Sequence, residues 1–209
     1  MSDLEAFHQK PTPMFKFLSK GKAKKQFSAL IVARLNDRTQ PIERGDLYED
    51  PLQEWMEAEG IGEVTGGGTQ LGEAGEIAFC DVEMCVQDLE QPTISAVIEM
   101  LEKLGAPKGS TLLIEGRKDT QFGKLEGLAV YLNGTDLPDH VYQECDSNHV
   151  YDEFNRLLGE IGKIHSTWQG PTETALYLFG TSYEEMCRRL SGFIEAYPLC
   201  QKARLVQIA

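Results

Sequence analysis

The sequence predicts an α+β protein of two tandem modules, each an antiparallel four-stranded sheet with two helices packed on one face. Three observations lead to this prediction. Strand-like and helix-like segments follow one another in the order β-α-β-β-α-β, and the same order then occurs again. The first predicted strands of the two halves begin at residues 27 and 124, 97 residues apart. The similar segments EGIGEVTG and GEIGKIHS start 100 residues apart, at residues 59 and 159, and this nearly constant spacing indicates an internal duplication.

The first half begins with a strand and a helix. An apolar run predicts a buried strand over residues 27–36. A helix is predicted over residues 44–60 because its apolar residues recur at i, i+3 and i+4. Asp50 is a suitable N-cap with Pro51 at the first helical position, and Gly60 is a suitable terminator.

A strand pair, a helix and a last strand complete the first half. The strand predicted over residues 61–71 runs into three consecutive glycines. Residues 75–86 alternate in polarity, with the even-numbered residues expected to face the core. A helix is predicted over residues 91–105 and a strand over residues 110–116. The apolar stripe of this helix consists of Ile94, Val97, Ile98, Leu101 and Leu104.

The second half repeats these elements in the same order. The predicted elements are a strand at 124–133, a helix at 148–160, strands at 161–170 and 172–180, a helix at 182–197 and a strand at 202–209. Ser182 and Glu185 have the spacing of a capping box at the start of the second of these helices. The residues expected in the core beside these helices include Phe154, Leu157, Leu158 and Phe193.

The repeated order resembles the ferredoxin-like fold, the split β-α-β arrangement. The resemblance covers residues 27–209 and implies an architecture rather than a function, because this fold carries many unrelated functions. It divides the chain into a basic arm at 1–26, a first module at 27–118 and a second module at 119–209.

Composition limits the classes of function. The chain has 209 residues, 20 Lys and Arg, 33 Asp and Glu, and a net charge of −13. An acidic chain repels nucleic acid and anionic membranes, so neither is expected as a partner. No signal segment or transmembrane span is recognised, and a cytoplasmic location is expected. The five cysteines contain no C-x-x-C pair, which predicts reduced thiols rather than a zinc site.

Charge is distributed unevenly along the chain. Residues 1–26 carry six lysines and two acids, whereas residues 43–102 carry 16 acids and the single base Arg44. Such a stretch predicts an anionic face that attracts a basic protein. The residues expected to contact this partner are Glu49, Asp50, Glu54, Glu57, Asp81 and Glu83. A solvated acidic surface without a partner is the alternative interpretation.

The glycine run is the second candidate site. Three glycines cost backbone entropy in a strand, and they are typical of a bulge, a close approach of another backbone or a docking loop. A phosphate-binding loop is disfavoured because a strand follows the run and glutamates flank it. The candidate ligand or docking loop consists of Gly66, Gly67, Gly68 and Thr69.

No catalytic or metal-binding constellation is recognised. The four histidines, at positions 8, 140, 149 and 165, do not have the spacing of metal ligands. We therefore expect neither an enzyme nor a cofactor or metal. The expected function is that of an acidic binding or inhibitory protein, similar to the general type of bacterial immunity protein that neutralises a basic toxin. The alternative is a regulatory protein that senses a small molecule between its two modules, and a homodimer is compatible with either.

Overall fold

The structure is a computed structural model that describes residues 29–72 and 75–209, and it contains two antiparallel sheets. The strands are β1 (Ala29–Leu35), β2 (Gly62–Leu71), β3 (Ile77–Val86), β4 (Ser110–Ile114), β5 (Thr120–Phe122), β6 (Glu126–Asn133), β7 (Gly162–Gln169), β8 (Glu173–Gly180) and β9 (Arg204–Gln207). The helices are α1 (Pro41–Arg44), α2 (Asp50–Glu59), α3 (Gln91–Lys103), α4 (Asp139–Glu144), α5 (Ser147–Leu158) and α6 (Tyr183–Ala196). The basic arm expected at 1–26 lies outside the described residues.

The two sheets share one strand order, which confirms the predicted fold class. The first sheet has the order β2-β3-β1-β4-β5 and the second the order β7-β8-β6-β9, and neighbouring strands are antiparallel. The first four strands of each sheet therefore have the ferredoxin-like arrangement. The first sheet has five strands rather than the expected four, because β5 pairs with β4. This strand extends the first sheet to residue 122, beyond residue 118 where the first module was expected to end.

Each sheet packs one face against its helices. In the first core, Ile94, Val97 and Leu101 of α3 are buried against β1 residues such as Ile31 and Ala33. In the second core, Phe154 and Leu158 are buried, and Leu157 and Phe193 pack partly buried against them. The apolar stripes predicted from helical spacing thus form the two cores.

The first long helical segment begins earlier than predicted. It starts at Pro41 and continues through a π-helical turn at Gly45–Glu49 into α2. Asp50 has helical backbone angles (φ −65°, ψ −51°) and donates its backbone N–H to the Gly45 carbonyl. An N-cap has non-helical angles, so the prediction of Asp50 as the N-cap is wrong.

The alternation predicted for β3 holds from Cys80 onward. Cys80, Val82, Met84 and Val86 are buried on the helix-bearing face. At the start of the strand the pattern fails, because Ile77 is buried and Ala78 is exposed. The pairing of β2 with β3 shifts in register between Gln70 and Leu71, next to this point.

In the described parts of the chain, no helix has the length and apolar character needed to cross a membrane.

Candidate functional site: the helix-free faces of the two sheets

The helix-free side of the first sheet is a mixed apolar and polar surface, which we call the open face. Register and burial place every second residue of β1, β3 and β4 on this side. Its residues are Leu30, Val32, Arg34, Phe79, Asp81, Glu83, Cys85, Thr111 and Leu113. All of them are half-buried or exposed, and Leu30 retains 55% of its accessible surface. The described residues therefore leave an apolar sheet surface accessible to solvent.

Arg34 lies at the centre of the open face and has two partners there. Its Nε and Nη2 donate to the two carboxylate oxygens of Asp81, each at 3.0 Å. Its Cζ lies 4.1 Å from the centre of the Phe79 ring. The hydrogen bonds to Asp81 raise the pKa of Arg34, so the guanidinium remains charged. A flat cation lies over an aromatic ring on the two central strands of the sheet.

The glycine run belongs to strand β2 at the edge of this sheet, and not to a loop. A register shift between Val64 and Gly66 is the bulge that three glycines favour. Gly66 and Gly68 pair with Glu83 and Asp81 and so lie on the open face. A Cβ at Gly68 would meet no atom within 4 Å.

Gly67 lies on the opposite face, where space is scarce. A Cβ there would lie 2.6 Å from Oε1 of Glu49 and 2.9 Å from Nε of Arg44. Arg44 is buried, forms an ion pair with Glu49 and donates to the hydroxyl of Thr69 at 2.7 Å. Gly67 thus permits a buried arginine to lie directly beneath the strand.

The acidic residues named from sequence do not come together. Asp50, Glu54 and Glu57 are exposed on α2, which packs on the helix-bearing side of the sheet. Asp81 and Glu83 lie on the open face, with the sheet between the two groups. Asp81 and Glu49 are also neutralised by the ion pairs with Arg34 and Arg44.

The helix-free side of the second sheet is covered, in contrast to the first. Ala129, Tyr131, Ala175, Tyr177 and Phe179 form a cluster there, and each is at most 7% exposed. Polar residues of the first half contact this helix-free side of the second sheet. They belong to the segment that follows β1 and to the segment that precedes β3. We call these residues and their partners the junction cluster: Asp37, Arg38, Tyr48, Glu76, Tyr131, His165 and Tyr177.

Glu76 is the centre of one part of the junction cluster. Its Oε1 accepts hydrogen bonds from the hydroxyls of Tyr131 at 2.5 Å and Tyr177 at 2.6 Å, and from Nη1 of Arg38 at 3.0 Å. Burial, followed by the hydrogen bond to Glu76, raises the pKa of Tyr131 to about 12 and raises that of Tyr177 further. Both hydroxyls therefore remain protonated donors.

Asp37 is the central residue of the other part of the junction cluster. Its Oδ2 accepts from the Tyr48 hydroxyl at 2.6 Å and lies 2.8 Å from Nδ1 of His165. The side chains of Asp37 and His165 are both 0% exposed. Burial, followed by the charge of Asp37, raises the pKa of Tyr48. With both side chains excluded from solvent, this pair joins the two halves rather than facing a substrate.

Sequence reasoning did not connect the residues of the junction cluster. Sequence separations of 55, 101 and 128 residues divide its hydrogen-bonded pairs. One signal was present: Tyr131 and Tyr177 occupy the same place in two similar segments, AVYL at 129–132 and ALYL at 175–178. A phenol in a buried strand usually requires a hydrogen-bond partner, and this requirement pointed to a polar contact.

Comparisons with known proteins gave matches among the solved structures. No family model matches the chain, and no curated protein matches it. A solved structure that matches is the crystal structure of the first two RRM domains of yeast poly(U) binding protein, with 9% identity and a TM-score of 0.23. The match covers 86% of this chain and 99% of that chain. At this identity and TM-score, nothing about function follows from the similarity.

Three expectations from the sequence are corrected. The expected role of an acidic immunity-type protein with a basic partner is wrong, because the sheet divides the anionic face on which that role depended. The alternative of a sensor with a ligand site between the modules is wrong as well, because buried side chains such as Asp37 and His165 meet there. The exclusion of nucleic acid is wrong too, because it rested on net charge alone, whereas charge is distributed unevenly along the chain. In the described residues no group of three or more acidic, histidine or cysteine side chains is arranged to hold a metal.

Proposed function

We propose that the protein binds single-stranded nucleic acid on the open face of the first sheet. The observation that carries this proposal is the Arg34 guanidinium over the Phe79 ring, on the two central strands of a solvent-accessible, helix-free surface. Unpaired bases stack on aromatic rings and on guanidinium planes, and sheet surfaces are a common platform for this.

The neighbouring side chains suit bases better than phosphates. Leu30, Val32 and Leu113 supply apolar area for base faces. Glu83 is exposed and, unlike Asp81, has no ion pair among those the structure describes. Carboxylates accept hydrogen bonds from exocyclic amino groups, so bases with such groups are expected to be preferred over uracil.

Phosphate contacts require positive charge, and the basic residues nearest one end of this face belong to the turn after β4 and to the sequence before β1. The pairing of Ile31 with Ile114 brings that turn to the end where β1 begins, and the turn carries Arg117 and Lys118 together with Glu115 and Asp119. The arm at 1–26 has a net charge of +4 and precedes β1. Lys25 is four residues from Ala29, a distance of at most about 14 Å along the chain.

Equilibrium titration of a short fluorescein-labelled single strand of mixed sequence tests the proposal by anisotropy. Phe79→Ala is expected to weaken binding about 5- to 150-fold, since stacking contributes about 1–3 kcal/mol per base. Tyr151→Ala is the matched control, because Tyr151 is an aromatic residue 40% exposed on α5 of the other half. Thermal melting establishes that both variants are folded. Absence of binding by the wild-type protein, or equal binding by Phe79→Ala, contradicts the proposal.

A further inference from the structure

Three groups donate to the Glu76 carboxylate at the helix-free face of the second sheet. The hydroxyls of Tyr131 and Tyr177 and the guanidinium of Arg38 donate to one of its oxygens. Arg204 lies nearby, with its Cζ 4.2 Å from the centre of the Tyr131 ring, but its guanidinium donates to both carboxylate oxygens of Glu173. The two tyrosine rings are perpendicular, with centroids 6.5 Å apart.

This arrangement has the chemistry of an anion site. Two hydroxyl donors and the Arg38 guanidinium suit a group with several negatively charged oxygens, and arginine is the usual partner of phosphate. The second sheet contains Tyr131, Tyr177 and Arg204. Glu76, in contrast, comes from the first half of the chain, directly before β3. The second sheet therefore has donors of its own, and the first half supplies the anion.

The anion is accessible from solvent at one side. The Glu76 side chain is 21% exposed and that of Arg204 is 52% exposed. Tyr177, in contrast, is 0% exposed beneath them. If the Glu76 carboxylate moved away, the buried hydroxyls of Tyr131 and Tyr177 would lose their acceptor. This loss costs free energy, and another anion in the same place would restore the acceptor.

The position of this site corresponds to the open face of the first sheet. Tyr131 follows Arg34 by 97 residues, the spacing between the first strands of the two halves. Both residues lie on the helix-free side of the central strand that begins their half. The same surface is thus open in the first half and closed by Glu76 in the second.

We propose that Tyr131, Tyr177 and Arg38 form a phosphate-binding site that Glu76 occupies as an internal anion, and that a phosphate of a nucleic-acid strand is the external ligand. Only the identity of this ligand rests on the proposed function. Bound Glu76 keeps the site closed, and the strand competes with it. The second sheet then acts as an additional binding surface whose occupancy loosens the contact between the halves.

The test removes the internal anion and supplies an external one. Glu76→Ala is compared with the wild-type protein and with Glu144→Ala, a control at an exposed glutamate of α4. Inorganic phosphate at millimolar concentration is expected to raise the melting temperature of Glu76→Ala more than that of either reference, because it restores an acceptor to the tyrosine hydroxyls. Equal shifts in all three proteins overturn the anion site.

A second measurement identifies the ligand and separates it from the proposed function. Starting from Phe79→Ala, the additional change Glu76→Ala is expected to increase affinity for the labelled single strand about tenfold. Adding Tyr131→Phe and Tyr177→Phe is expected to abolish this gain. A phosphate response without a gain in strand affinity contradicts the nucleic-acid ligand. If the wild-type protein binds no strand, the proposed function fails, while the phosphate response still decides the site.

Glu76→Gln keeps the test decisive if Glu76→Ala does not fold. The amide oxygen still accepts from the tyrosines, but the negative charge that Arg38 binds is absent. Phosphate is then expected to stabilise Glu76→Gln more than Glu144→Ala. An equal response of these two variants overturns the proposal.

Discussion

Nδ1 of His165 lies 2.8 Å from Oδ2 of Asp37, although the two residues are 128 positions apart and neither side chain is exposed. The same carboxylate oxygen accepts from the Tyr48 hydroxyl, and Oδ1 accepts from the backbone N–H of Arg38. One buried carboxylate thereby connects the end of β1, the helical segment that follows it and strand β7 of the other half. This contact and that of Glu76 are two of those that join the two sheets, and the Ser166 hydroxyl, which donates to the Arg38 carbonyl, provides another.

Asp37→Ala is expected to destabilise the protein by about 3–5 kcal/mol. The substitution leaves the Tyr48 hydroxyl and His165 buried without their acceptor, and each unsatisfied donor costs about 1–3 kcal/mol. Urea unfolding measures the change. Asp152→Ala is the control, because Asp152 is exposed on α5, and a change there is expected to stay within about 0.5 kcal/mol. Equal stability of the two variants would show that Asp37 does not hold the halves together.

Two neighbouring glycines are expected to differ sharply in their tolerance of alanine. Gly67→Ala places a methyl group against Glu49, Arg44 and the Asp81 carbonyl, and overpacking of this kind costs about 1–3 kcal/mol. Gly68→Ala meets open space and is expected to be neutral or slightly stabilising. Thermal and urea unfolding of both variants make the comparison. A tolerant Gly67 would contradict the close approach of Arg44 to β2.

The stability of the protein is expected to fall at alkaline pH partly through Cys80. Burial, followed by the charge of Asp37, raises the pKa of this thiol from 9.0 to about 12. The folded state therefore retains the proton more strongly than the unfolded state, and the stabilisation present below pH 9 is lost as the pH rises toward about 12. Urea midpoints measured across this range are expected to decline less steeply in Cys80→Ala than in the wild-type protein. Cys187→Ala, at a half-exposed thiol, serves as the comparison and should decline as the wild type does.

Nucleic-acid binding is expected to depend on salt through the lysines of the arm. Each phosphate neutralised on a single strand contributes about −0.7 to the slope of log K against log salt concentration. Deletion of residues 1–26, which carry six lysines, should make this slope shallower. Anisotropy titrations over a range of salt concentrations give both slopes. Identical slopes would place the phosphate contacts elsewhere on the chain.

The fold was predictable from sequence because its signals are local. The period of the apolar residues in α3 and in β3 from Cys80 onward depends only on neighbours along the chain, and both faces are as predicted. The prediction of the first helix start failed, because the sequence pattern used for it is compatible with a helix start and with a position inside a helix. Asp50 followed by Pro51 is typical of a helix start, but the helix had already begun at Pro41.

The candidate sites were less predictable because they depend on which residues the fold brings together. Asp81 and Glu83 were correctly placed on one strand face, but their separation from the acids of α2 follows from the sheet between them. The contact of His165 with Asp37 depends on how the two sheets pack, and no local pattern in the sequence encodes that arrangement.

Ultraviolet crosslinking of the labelled single strand, followed by peptide mapping, tests the central claim most directly. The position of each crosslink identifies the surface in contact with bases, independently of any substitution. We expect crosslinks on β1 and β3, above all at Phe79 and at Cys85, both of which lie on the open face. Crosslinks confined to the helix-bearing sides, such as the exposed Tyr151 of α5, would contradict the account.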